Sequence, residues 1–112
     1  MRRLIVFLLL GLFITSMIPA KDKFKNLQLL EFETEKELKT FMEGMANDLG
    51  VKCKFCHDMN DKSFDTKHKK IARGMLNMVA NLNTGPFSWS EEPKISCWTC
   101  HRGEKEPPAK RP

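Results

Sequence analysis

Beyond its first fourteen residues this 112-residue chain has no long hydrophobic run, and no segment alternates apolar and polar residues convincingly. The first absence leaves the N-terminal leader as the one stretch to weigh as a membrane anchor. The second argues against a sheet. Basic residues form no stripe interleaved with aromatics, so nucleic acid is not an expected partner. Histidine and cysteine are scarce, at three and four residues. That scarcity makes their placement informative.

All four cysteines fall in two runs, Cys53-Lys-Phe-Cys56-His57 and Cys97-Trp-Thr-Cys100-His101, and each run ends in histidine. Cys-x-x-Cys-His is the attachment signature of c-type haem. Two thiols on one helical turn can each bond one vinyl group of the porphyrin, and the adjacent histidine then reaches the iron as proximal ligand. The sequence therefore predicts two covalently attached haem c groups, on Cys53 and Cys56 with His57 and on Cys97 and Cys100 with His101. Two plainer readings compete. Four thiolates in paired CxxC runs can clamp one tetrahedral zinc ion, but the linking stretch is long for a zinc ribbon. Two disulfides suit an oxidising compartment. Neither reading calls for the trailing histidines.

Arg2 and Arg3 precede an apolar run, Leu4 to Ile14, broken only by Gly11; Thr15, Ser16 and Pro19 then end the pattern before Ala20. This is the anatomy of a secretory signal peptide. Ile18 is not the small residue preferred two positions before a cleavage site, so an uncleaved leader acting as a membrane anchor is the rival expectation. Both place the body of the protein outside the cytoplasm, in the periplasm, where haem is attached covalently. The expected organisation is a leader over residues 1–20, one domain over residues 21–104 and a disordered tail over residues 105–112. Loss of Arg2 and Arg3 lowers the formal net charge from +5 to +3, a mildly basic balance that reads first as a solvated exterior, with an acidic docking surface on a redox partner or an anionic membrane face as the functional alternatives.

The expected fold is all-α. Thr34 and Glu37 form a capping box for a helix running to Leu49 and stopped by Gly50. The polar stretch 58–66 reads as a loop. A second helix fits residues 67–83 and is ended by Thr84-Gly85-Pro86, with an irregular connection over 84–96. The two helices repeat one pattern: Leu38, Met42, Met45 and Leu49 share their spacing with Ile71, Met75, Met78 and Leu82. Each set marks one face of a helix that precedes a CxxCH run, so the chain reads as two helix–turn–CxxCH repeats whose core is filled by haem.

A low-spin c-type haem needs a sixth ligand, and a methionine thioether is a good one. Met42, Met45, Met75 and Met78 are the methionines on the repeated faces, two for each helix, and spacing alone does not choose between the members of a pair. Met59 stands too close to His57 to reach the opposite face of that haem, and Met17 belongs to the leader. His68, the histidine outside the motifs, sits among Lys67, Lys69 and Lys70 and reads as a solvated surface residue rather than a distal ligand.

Leu49-Gly50-Val51-Lys52-Cys53 running into His57, then Ala72-Arg73-Gly74-Met75-Leu76-Asn77-Met78, then Cys97 to Gly103 resemble the multihaem cytochrome subunit of photosynthetic reaction centres. The similarity is closer to the short two-haem cytochromes of that superfamily and spans about residues 34–104. The resemblance implies that each haem lies along the helix preceding its CxxCH, with a methionine of that helix as axial ligand. It points to Met42, eleven residues before Cys53, and to Met75, the first of the Met-x-x-Met pair. Larger members use a further histidine for an extra haem, and this chain has none between residues 69 and 100.

The expected function is a periplasmic dihaem cytochrome, an electron carrier and not an enzyme, with both irons His/Met ligated and redox proteins as partners. The alternative is a haem peroxidase or gas sensor with one open coordination site, for which His68 is the candidate acid–base histidine.

Overall fold

The computed structural model describes residues 24–112; the leader expected over residues 1–20 lies outside the described residues. Among the described residues four helices follow in order: α1 (Glu35–Leu49), α2 (Cys53–Cys56), α3 (Lys67–Thr84) and α4 (Cys97–His101). There is no strand among the described residues, so the fold is all-α as expected. None of these helices is long and apolar enough to cross a membrane.

Local chemistry explains the helix ends. The Thr34 hydroxyl accepts from the Glu37 N–H at 3.2 Å, and the Glu37 carboxylate accepts from the Thr34 N–H at 3.0 Å, closing the expected capping box. At the other end Gly50 adopts φ 64°. Its N–H bonds the Asn47 carbonyl and the Val51 N–H bonds the Ala46 carbonyl, the double return of a Schellman stop. Thr66 caps α3 by accepting from the Lys69 N–H at 3.2 Å, and its hydroxyl also donates to the Cys56 carbonyl. One threonine thus ties the first CxxCH turn to the start of the second long helix. α3 ends at Thr84, one residue beyond the expected boundary, where the Thr84 hydroxyl returns to the Ala80 carbonyl at 2.9 Å.

The repeats cross over in space. Turn α2 packs beside α3, the helix of the second repeat, as well as beside its own α1, while α4 packs beside α1, the helix of the first. The chain just after α4 is pinned: Gly103 donates to the Asp48 carbonyl at 2.8 Å. Asp48 lies in the last turn of α1, whose carbonyls lack partners within the helix, so the second motif closes the end of the first helix. Asn83 fixes the irregular connection. Its side chain accepts from the Lys94 and Ile95 N–H groups at 3.0 and 2.9 Å and donates to the Ile95 carbonyl at 2.8 Å.

These contacts are polar and peripheral. No described side chain is fully buried; Ile71, Met75 and Met78 remain 44–47% exposed, and Trp98 is 54% exposed. The apolar face of α3 is therefore not closed by the described side chains, which leaves it suited to line a large flat apolar group.

Candidate functional site

Both CxxCH runs fold as short helical turns, and this places the two cysteines of each run on one side of a single turn. α2 is closed by the His57 N–H on the Cys53 carbonyl at 2.9 Å. α4 begins at Ser96, whose N–H donates to the Thr99 hydroxyl at 3.0 Å, and ends in two left-handed residues, Arg102 and Gly103. The four thiols are free; Cys56 and Cys97 are half-buried, Cys53 and Cys100 exposed. Burial pushes the Cys56 thiol up, with the neighbouring Cys53 adding to it. Burial does the same at Cys97, with the Asp48 carboxylate as second cause. No group of three or more metal-binding side chains is gathered among the described residues. A four-thiolate zinc site is thus not assembled, because the CxxC runs sit on separate turns that do not bring their thiols into one cluster.

The histidines supply the test of fit to haem. His57 Nδ1 lies 2.9 Å from the Lys62 carbonyl, and His101 Nδ1 lies 2.9 Å from the Glu104 carbonyl. A carbonyl only accepts, so Nδ1 carries the proton in both rings, and in the neutral ring the Nε2 lone pair is left for a metal. A metal-binding histidine ordinarily has its other nitrogen held in this way, which fixes the tautomer and the ring plane. Both rings are half-buried. The donor set and its orientation fit a haem iron at both motifs.

A mostly apolar cavity of about 500 Å3 opens between α1 and α3 and reaches Cys97, within the range of ligand pockets, roughly 300–1,000 Å3. Phe41 and Met45 line it from α1, and Leu76, Val79 and Ala80 from α3. Met42 is half-buried on α1, and Met75 and Met78 lie on the exposed face of α3. Of the four methionines on the repeated faces, Met45 is the one that lines the cavity beside Cys97.

Two features escaped the sequence reading. The His68 ring stacks on Phe55, centroids 4.1 Å apart and 15° between planes, and its Nδ1 donates to the Phe55 carbonyl at 2.8 Å. It is exposed as expected, yet it braces the first CxxCH turn rather than standing free. The loop over residues 58–66 is likewise a built structure. Lys69 Nζ donates to the carbonyls of Lys62, Ser63 and Phe64 at 3.0–3.1 Å. Asp65 bonds Arg73 at 2.9 Å, and Asn26 donates to Asp65 and to the Ser63 carbonyl at 2.7 and 2.6 Å. Asn26 adopts φ 67°, a conformation asparagine tolerates, which fixes the lead-in segment on the loop.

The Arg73 hydrogen bond, then that of Asn26, holds the Asp65 carboxyl below its usual range. A depressed folded-state value means the stabilisation is fully present above the unfolded pKa, about 3.9, and is lost as pH falls through the folded value. Asp65→Asn is therefore expected to lower stability at neutral pH and to flatten the acid limb of the stability curve, measured by denaturant melts between pH 7 and 2. An unchanged acid limb would show that Asp65 is not coupled to folding.

The profile of the family described as photosynthetic reaction centre cytochrome C subunit matches residues 14–110. The chain is 32% identical over 97 residues to the photosynthetic reaction center cytochrome c subunit of Roseobacter denitrificans, covering 79% of this chain and 26% of that protein. It is 30% identical over 93 residues to the corresponding subunit of Rubrivivax gelatinosus, covering 79% and 25%. Over 82 residues it is 32% identical to cytochrome c-554 of Chloroflexus aurantiacus, covering 68% and 20%. The chain thus spans about a quarter or less of the length of these relatives. The match takes in both CxxCH turns and both long helices, and the chain belongs to the photosynthetic reaction centre cytochrome c subunit family, whose cytochrome c character implies covalently bound haem c.

Proposed function

We propose that this protein is an exported, periplasmic dihaem cytochrome that carries single electrons between redox proteins and turns over no substrate. The domain doing so is residues 21–104. Cys53 and Cys56 hold one haem and Cys97 and Cys100 the other, each thiol adding across one vinyl group. His57 and His101 are the proximal ligands through Nε2, and Met42 and Met75 complete the two coordination spheres. Haem supplies an iron that cycles between two oxidation states without bond making, and thioether ligation favours the ferrous form. The chain's part is to hold the rings, line the haem faces and keep a sixth ligand in place.

The observation that carries this reading is the shared arrangement of the histidines. At both motifs Nδ1 is held by a backbone carbonyl a few residues downstream. The rival catalytic reading depends on His68, whose ring is committed to Phe55. The intact mass of exported protein tests the proposal: it should exceed the polypeptide by two haems that resist acid-acetone extraction. Cys53→Ser and Cys100→Ser should each lower attachment at their own site and destabilise the domain. A mass carrying zinc alone, or four free thiols, would refute it.

A further inference from the structure

The two proximal histidines differ in what stands behind them. The Lys62 carbonyl, which accepts from His57 Nδ1, also accepts from the Lys69 ammonium at 3.1 Å. That ammonium is held further by the Ser63 and Phe64 carbonyls at 3.1 and 3.0 Å, and its side chain is only 13% exposed. Its nearest carboxylate, Asp65, stands 3.7 Å away and is bound more closely by Arg73 at 2.9 Å. Lys69 and Arg73 thus share the one carboxylate between them, Asp65, while Asp61, which also feels Lys69, is paired with Lys25 at 3.8 Å. At the second motif the Glu104 carbonyl accepts from His101 with no ammonium upon it among the described residues. On that side a carboxylate residue, Asp48, lines the same cavity as Cys97, and its carbonyl accepts from Gly103 at 2.8 Å.

On the dihaem reading above, we propose that Lys69 makes the haem on Cys53 and Cys56 the higher-potential of the two, so that an electron entering at the Cys97/Cys100 haem comes to rest there. Two effects act in the same direction. A histidine whose Nδ1–H is bound by a strong acceptor becomes a better electron donor to its metal. The Lys62 carbonyl, already drawn upon by an ammonium, is a weaker acceptor, so His57 pushes less charge onto iron and the ferrous state gains. A poorly solvated positive charge also favours the form that has taken up an electron, because it is less screened than a surface charge. Asp48 disfavours that form at the second site. The transfer moves one electron from ferrous iron at one site to ferric iron at the other, with no bond made and no proton released.

Full-length haem-loaded protein, titrated spectroelectrochemically as wild type, Lys69→Gln, Lys69→Arg and Asp65→Asn, tests this. Wild type should show two one-electron steps. Lys69→Gln should lower the upper step alone, by about tenfold in the ferrous/ferric equilibrium, or about 59 mV for a one-electron couple. Lys69→Arg, which keeps the charge, should restore most of the shift. Asp65→Asn removes the carboxylate beside Lys69 and Arg73 and should raise the same step. Loosening of the loop alone would move Lys69→Gln and Asp65→Asn in one direction, so opposite signs identify the charge. An unmoved upper step, a shift confined to the lower one, or the same sign in both variants overturns the proposal. If Lys69→Gln fails to take up haem, the sign in Asp65→Asn decides. A wild-type protein with fewer than two attached haems overturns the dihaem reading itself, and this inference with it.

Discussion

Gly50→Ala is expected to detach the second CxxCH turn from the first helix and to leave the haem on Cys97 and Cys100 incompletely attached. Gly50 has φ 64°, a left-handed backbone in which a Cβ costs roughly 1–2 kcal/mol. A Cβ built there would also overlap the Gly103 carbonyl oxygen and lie 3.0 Å from its carbon. Neither backbone can yield cheaply, because Gly50 holds the end of α1 while Gly103 is bonded to the Asp48 carbonyl at 2.8 Å. Strain and overpacking together cost roughly 2–5 kcal/mol, enough to lower the melting temperature of a domain this size by about 10 °C or more. Gly50→Asn separates the causes. Asparagine accepts the left-handed backbone better than alanine does, yet its Cβ meets the same oxygen. If contact with Gly103 dominates, both variants lose stability and show haem on the Cys53 peptide in excess over the Cys97 peptide by mass spectrometry. Rescue by asparagine would assign the effect to backbone conformation alone. A wild-type melt with both peptides fully modified would remove Gly50 from the account of how the motifs are joined.

Gly50 also shows where the sequence is readable and where it is not. Its role as a helix stop was legible, because the signal is local: a glycine at the end of an apolar period. Thr34 with Glu37, and Gly85 with Pro86, were legible for the same reason. Its contact with Gly103 was not, since fifty-odd residues separate them and a backbone carbonyl leaves no trace in residue type. The same limit hid the Lys69 tripod. A lysine among Lys67, His68 and Lys70 reads as solvated surface, and only the path of the 58–66 loop turns three carbonyls toward it. His68 was similarly opaque, for its partners are a ring and a carbonyl of Phe55. The cysteines and the histidines that follow them stand out because the chemistry of haem attachment dictates that spacing. The internal repeat predicts two like faces, yet they pack differently: the α1 set is half-buried throughout, while Ile71, Met75 and Met78 are exposed. Repeated spacing fixes which residues share a face, not what comes to lie against it.

Met42→Ala and Met75→Ala are each expected to remove about half of the weak far-red charge-transfer absorption that marks ferric iron bound to a thioether, and to lower one reduction potential. The loss follows from the chemistry of the sixth ligand. Thioether sulfur stabilises ferrous iron, and a site left open or filled by water loses that preference. Met45→Ala and Met78→Ala should leave the band intact and act on packing instead. The full cost of truncating a buried methionine is about 2–5 kcal/mol. Met78, 47% exposed in the chain itself, should cost less than that, and half-buried Met45 more than Met78. Met45 is the informative case, because it lines the cavity that reaches Cys97 while belonging to the helix of the first repeat. The crossed packing of α4 on α1 brings it there, and it is the one rival to Met75 that geometry supplies. If Met45→Ala removes the half of the band that Met75→Ala leaves untouched, the second iron takes its ligand from the first helix. The two repeats would then be joined through iron as well as through the Gly103–Asp48 hydrogen bond, and the dihaem assignment would stand with one ligand exchanged.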